Sequence, residues 1–200
     1  MIRLNMGSGL NPMPASEGWT NVDLYGEPDV RCDLERTPWS AWKPMPDGFK
    51  EYEEAKSWED SSVDEMLWNH SLEHMGQDPK VFINIIKEIY RVCKPNAKIT
   101  IAVPHHHHEN FWNDPTHVRV ITPELMALFS KRQCAEVKRL GGANSPLAIY
   151  HDVDFEVETV QNVLDPRYEY IVNRSDEQFR LSRQFLNVFV EVRMVLKVIK

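Results

Sequence analysis

The sequence predicts an α/β domain built on a mostly parallel sheet, with an antiparallel hairpin at one edge. Two observations point there: strands alternate with helices through the first half of the chain, and two long alternating strands lie near its end. Glycine, acidic or histidine residues stand just past the early strands, where ligands sit in such sheets. A chain of 200 residues, 42% hydrophobic and 26% charged, suits one domain and one continuous core, with both sheet faces covered.

The elements read in order as follows. Ile2, Leu4 and Met6 alternate with polar neighbours and stop at Gly7-Ser8-Gly9, a strand ending in a turn. Trp19–Leu24 and Val30–Leu34 read as the second and third strands. From Thr37 to Ser62 proline, tryptophan and charge dominate, and Lys50 to Lys56 reads as a short exposed helix. Val63–Asn69 is the fourth strand. Asp78 is a good N-cap, Pro79 suits the first helical position, and Phe82, Ile85, Ile86, Ile89 and Tyr90 then share one helical face. On that helix Glu88 and Arg91 read as a solvated pair. A turn at Lys94-Pro95-Asn96 leads to a fifth strand, Lys98 to Val103. After a polar segment, His105 to Val120, Thr122 and Pro123 start a helix carrying Leu125, Met126, Leu128 and Phe129. Tyr150 to Val163 reads as a strand, Asp165 to Arg183 as an irregular charged insertion, and the alternation from Asn187 to Val198 as the last strand.

Several functions are disfavoured at once. A formal net charge of −7 argues against a nucleic-acid partner, which needs a basic face. No apolar run approaches the ~20 residues of a membrane span, and the start of the chain does not read as a signal peptide. Cys32, Cys93 and Cys134 are odd in number and far apart, which suggests reduced thiols in a cytoplasmic protein. His105 to His108 follow a strand and, with Glu109, Asp114 and His117 downstream, could bind a transition metal, but their spacing fits no ligand pattern, so no metal is assigned and a polar substrate-site loop or plain surface is expected. Trp39, Trp42, Trp58, Trp68 and Trp112 read mostly as core or rim packing.

Gly7 and Gly9 allow a ligand to approach the backbone closely. Asp23, ending the second strand, can accept both hydroxyls of a ribose, and Asp33 can accept from an exocyclic adenine amine. A dinucleotide and S-adenosylmethionine both suit this arrangement. The first is weakened because Pro12 replaces the third glycine and the stretch before Trp19 leaves little room for a crossover helix.

Residues 2 to 130 resemble the small class I S-adenosylmethionine-dependent methyltransferases of the type 11 group. The resemblance lies in an ordered set: Leu4-Asn5-Met6-Gly7-Ser8-Gly9-Leu10-Asn11-Pro12, Gly18-Trp19-Thr20-Asn21-Val22-Asp23-Leu24, and Asp33-Leu34 before Thr37-Pro38-Trp39. Ser62 to Met66, Asn69-His70-Ser71-Leu72-Glu73-His74, Tyr90 to Pro95 and Asp114 to Arg119 continue it. It implies a Rossmann-like, mostly parallel seven-stranded sheet, with 1–104 the cofactor half and 105–200 the substrate side. S-adenosylmethionine is then the implied cofactor and a small molecule the implied acceptor. Gly7 and Gly9 would shape the methionine pocket and Asp23 hold the ribose. Asp33 with Leu34 would border the adenine, and Asn69 with His70 line the methyl end. Met6, Ser8, Asn11 and Leu24 complete the set. His70, His74 and His117 are the candidate general bases, although His74 could equally brace its loop through Glu73. The alternative is a non-catalytic protein that keeps the fold and binds a cofactor or a partner.

Overall fold

The computed structural model describes residues 1–43, 53–55 and 58–200. Among the described residues nine strands form one sheet: β1 (Arg3–Met6), β2 (Trp19–Asp23), β3 (Val30–Arg31), β4 (Ala41–Lys43), β5 (Glu53–Ala55), β6 (Val63–Asn69), β7 (Cys93–Pro104), β8 (Phe155–Leu164) and β9 (Phe189–Val198). Their order is β5-β4-β3-β2-β1-β6-β7-β9-β8. The run from β3 to β7 is parallel, and β9 pairs antiparallel with both β7 and β8. Seven strands make the expected sheet; β4 and β5 extend it as an antiparallel pair beside β3. Glu53–Ala55 is therefore strand, not helix, and the rest of Lys50 to Lys56 lies outside the described residues.

Among the described residues six α-helices accompany the sheet: α1 (Pro79–Val92), α2 (Glu109–Trp112), α3 (Pro123–Ala127), α4 (Lys131–Arg139), α5 (Leu147–Tyr150) and α6 (Ser175–Ser182). Asp78 caps α1 by accepting the Lys80 backbone N–H at 2.8 Å, with Pro79 in the first turn. Phe82, Ile85, Ile86, Ile89 and Val92 are its buried stripe. They pack on Leu4, Met6, Met66, Trp68, Ile99 and Ile101, which alternate along the strands and so point to one face.

The other sheet face differs. Cross-strand neighbours Arg3, Glu65, Lys98 and Lys197 form one row on it, and Asn5, Leu67, Thr100 and Val195 the next. None of these belongs to the main core. Trp19, Asn5, Asn21 and Ala102 are buried on this face, but the short early crossovers lay no α-helix over it. The link from β1 to β2 holds a single 3-10 turn, Ala15–Glu17, and residues 24–29 join β2 to β3 with no helix at all. Arg31 braces that short link by donating to the carbonyls of Leu24 and Gly26.

Three further readings are corrected. Residues 150–154 are not strand: α5 ends at Tyr150, Asp152 takes a left-handed φ of 50°, and β8 starts at Phe155. The 165–183 stretch is ordered, as a 3-10 helix over Pro166–Ile171 followed by α6, both packed on a small cluster of Ile171, Leu181 and Val188. Lys94 to Asn96 belong to β7, with the turn tendency surviving as a φ of 65° at Asn96.

Glu88 is buried rather than solvated. It accepts the Trp39 backbone N–H at 2.8 Å and both a terminal and the internal nitrogen of Arg91. Trp39 is wholly buried between Trp58 and Trp68, and its indole N–H donates to the Leu34 carbonyl. Trp39→Ala is expected to cost about 3–5 kcal/mol in chemical denaturation. A loss under about 1 kcal/mol would mean that the site collapses or is already wet.

Candidate functional site

Parallel pairing brings the carboxyl ends of β3, β2, β1 and β6 side by side, so the segments leaving them share one edge. Gly7 and Ser8 donate backbone N–H groups to the Val22 carbonyl at 2.8 and 3.2 Å, folding the glycine turn onto the end of β2. The Gly9 N–H then reaches Asp23 Oδ2 at 2.8 Å, while Asp23 Oδ1 accepts from the Tyr25 N–H at 2.8 Å. Asn11 closes the turn by donating to the Ser8 carbonyl at 2.9 Å. Met6 lies in the core, and its carbonyl accepts the Ser71 hydroxyl. After β3, Asp33 accepts the Glu35 N–H and pairs with Arg36. Leu34 is buried in the main core, while Leu24 is half-buried.

Asn69 ends β6 and His70 follows it, both exposed at the residue level, with His70 in a left-handed conformation of φ 52°. His70 Nε2 meets Glu191 Oε2 at 2.5 Å and its Nδ1 faces Glu73 Oε1 at 3.6 Å. The Glu191 hydrogen bond, then Glu73, raises His70 to about 9. The ring is therefore a cation at neutral pH and donates rather than accepts. Glu191 comes from β9 and is itself held below the usual glutamate range by His70 and Arg193.

His74 and His117 lie together, ring centroids 4.6 Å apart. The 3-10 turn Leu72–His74 presents His74, and the loop before Ile121 lies on it because Val118 and Arg119 both donate to the Glu73 carbonyl. With His70, Glu73, Asp114 and Glu191, these histidines line a cleft of about 510 Å³. The structure thus gathers all three candidate bases, and adds three carboxylates, Glu73, Asp114 and Glu191. Glu191 had looked like a polar position in an alternating strand, and Glu73 like a brace for His74.

The histidine run sits to one side. The rings of His105 and His106 stack at 4.5 Å, and His108 caps α2 through its Nδ1 while its Nε2 meets Asp165 at 3.0 Å. Arg167 holds the Asp165 carboxyl far below the usual range. Burial, with the neighbouring imidazoles, lowers His105 to about 4. An unfolded histidine titrates near 6.5, so between these values the unfolded chain binds the extra proton. Stability should therefore fall as pH drops from about 6.5 towards 4. Urea melts at pH 7.5 and pH 5 should show the loss, and His105→Gln should reduce it; an equal slope in both would remove His105 as its source.

All three cysteines are buried and unpaired, and burial pushes the Cys32 and Cys93 thiols up to about 12. Among the described residues no helix is long and apolar enough to cross a membrane.

No protein-family model matches the chain, and no curated protein sequence does. Solved structures do. A SAM-dependent methyltransferase from Archaeoglobus fulgidus aligns over 98% of this chain and 85% of its own, at 17% identity and TM-score 0.52. The 1,6-didemethyltoxoflavin-N1-methyltransferase of Burkholderia thailandensis, solved with 1,6-didemethyltoxoflavin and S-adenosylhomocysteine, aligns over 100% and 71%, at 14% identity and TM-score 0.53. A SAM-dependent methyltransferase from Thermotoga maritima aligns over 100% and 82%, at 14% identity and TM-score 0.52. The fold is that of the Rossmann-like class I methyltransferases.

Proposed function

We propose that the protein transfers the methyl group of S-adenosylmethionine to a small-molecule acceptor. The reading rests on the meeting of Gly7–Gly9, Asp23 and Asn69–His70 along one carboxyl edge of a methyltransferase-type sheet. The residues suit the cofactor. A side chain at Gly9 would meet no atom within 4 Å, so the turn borders open space. Each Asp23 oxygen takes one backbone N–H and keeps a second lone pair for a ribose hydroxyl. Asp33 would accept from the adenine amine, Leu34 would line the base side from the core, and Met6, Ser8, Asn11 and Leu24 would shape the rest of the pocket.

When bound, the sulfonium supplies an electrophilic methyl group. The protein's share is to position the acceptor and exclude water beside it. His70 carries a charge that Glu191 and Glu73 balance, so it can orient an acceptor without opposing a cationic cofactor. His74 and His117 each keep a ring nitrogen in the cleft and are the side chains able to take a proton from the acceptor.

Calorimetric titration of the metal-free protein with S-adenosylhomocysteine, with NAD in parallel, tests this. Saturable binding of the first alone is expected; binding of NAD instead would overturn the reading. A non-catalytic binding role is the second reading, favoured by the links after β1 and β2, which carry no α-helix to wall the site. Turnover with any small acceptor would exclude it.

A further inference from the structure

We propose that Glu73, His74 and His117 form a binding site for one borderline divalent cation of the zinc type, opening onto the cleft beside His70. The site is argued from these side chains alone and does not depend on the methyl-transfer reading; with the cation bound, the Nε2 atoms of His74 and His117 hold it and do not serve as bases.

One carboxylate oxygen and one nitrogen from each imidazole lie within 4.8 Å of one another. Glu73 is the telling member. It is 1% exposed, and neither of its oxygens accepts a hydrogen bond. Its Oε1 faces His70 Nδ1 at 3.6 Å and His117 Nε2 at 4.0 Å, both beyond hydrogen-bond reach. Even beside the His70 cation, a buried carboxylate that accepts no hydrogen bond is costly, and a metal ion bound to it would complete its surroundings.

The histidines are set for a metal by what they touch on the far side. His117 Nδ1 lies 2.7 Å from the Phe111 carbonyl, an acceptor only, so Nδ1 carries the hydrogen and Nε2 the lone pair. The Thr116 hydroxyl donates to Asp114 Oδ1 at 2.6 Å, so at 2.9 Å from His74 Nδ1 it can only accept. That places the His74 hydrogen on Nδ1 as well and leaves its Nε2 free. Metal-bound histidines are oriented this way, through a carbonyl or hydroxyl behind the ring.

Two imidazoles and a carboxylate favour Zn²⁺, Co²⁺ or Ni²⁺ over Mg²⁺ and Ca²⁺, which prefer all-oxygen cages. Zinc bonds of about 2.0–2.2 Å put tetrahedral ligands ~3.4 Å apart, so the three must close by about 1 Å. His74, half exposed on a one-turn 3-10 helix, has the freedom to do so. Three protein ligands leave coordination positions facing the cleft, the arrangement of reactive rather than purely structural zinc sites.

The test must separate this site from the His105–His108 run. Chelator-treated full-length protein is titrated with Zn²⁺ and, in parallel, Mg²⁺; Co²⁺ then reports ligand geometry through its visible absorption. Glu73→Gln and His74→Ala are compared with the double variant His106→Ala/His107→Ala, and circular dichroism melts establish that each folds. One zinc equivalent should bind to the parent and to the double variant, with no response to Mg²⁺. Glu73→Gln and His74→Ala should each weaken that equivalent by at least about 100-fold, since even residues behind a ligand are worth 10–100-fold. Zinc retained in full by both Glu73→Gln and His74→Ala, zinc lost only in the double variant, or no saturable zinc binding by the parent would each overturn the proposal. Loss of S-adenosylhomocysteine binding with zinc binding intact would sink only the methyl-transfer reading.

Discussion

Asp23→Ala should abolish measurable binding of S-adenosylhomocysteine while leaving the domain folded. In the proposed complex the carboxylate takes two ribose hydroxyls, and hydrogen bonds to a charged group are worth about 1.5–3 kcal/mol each. Losing both predicts an affinity drop of roughly 100-fold to 10,000-fold. The structural cost is smaller. Asp23 also accepts from Gly9 and Tyr25, at 2.8 Å each, but these donors lie at the rim, where water replaces the carboxylate. A neutral-type bond there contributes ~1 kcal/mol, so the melting temperature should fall by only a few degrees. Asp23→Asn separates the two effects: it keeps the shape of the turn and one acceptor oxygen, and should bind with intermediate affinity. Unchanged affinity in the alanine variant would move the ribose clamp to another residue.

Gly7→Ala should be the most damaging single-methyl change near the site. Gly7 has a φ of 67°, where an L-residue costs about 1–2 kcal/mol. The added Cβ would stand 2.5 Å from Ser71 Cβ and 3.1 Å from its Oγ, so something must shift. Ser71 is poorly placed to move, since it is buried and its hydroxyl donates to the Met6 carbonyl at 2.7 Å. Overpacking adds about 1–3 kcal/mol, for a total of roughly 2–5 kcal/mol and a melting point lower by ~5–15 °C. Ser71→Gly alone should cost about 1 kcal/mol through the lost hydrogen bond, yet partly rescue Gly7→Ala by removing the opposing atoms. A double-mutant cycle with strictly additive effects would show that the turn and Ser71 do not press on each other.

Much of this fold is written locally. The stop of β1 at Gly7, the Asp78-Pro79 start of α1 and the alternation of β9 each depend on a few adjacent residues, and each lies where its pattern places it. The cofactor edge is legible for the same reason, because parallel strands bring their following residues together whatever the loops do. What escaped depends on distant partners. Glu191 reaches His70 across 121 positions, and nothing in a Val-Glu-Val alternation marks one glutamate as a histidine's counter-ion. Glu88 looked like half of a surface pair because its second partner, the Trp39 backbone, stands 49 residues away. β4 and β5 are each three residues long, too short for a period to show. The helices of the 165–183 stretch carry few apolar residues, and only the small cluster around Ile171 fixes them.

The sheet's polar face has a thermal consequence. Ordinary domains gain about 12–15 cal/mol/K per residue on unfolding, chiefly because buried apolar groups meet water. Here one face carries Arg3, Glu65, Lys98 and Lys197 in a row, side chains that stay at least partly exposed in the folded state. Calorimetry should therefore return a heat-capacity increment below that range, and the stability curve should be a broad, shallow dome. Such a protein would change little in stability from cold to warm conditions, since less of its driving force comes from the term that varies most with temperature.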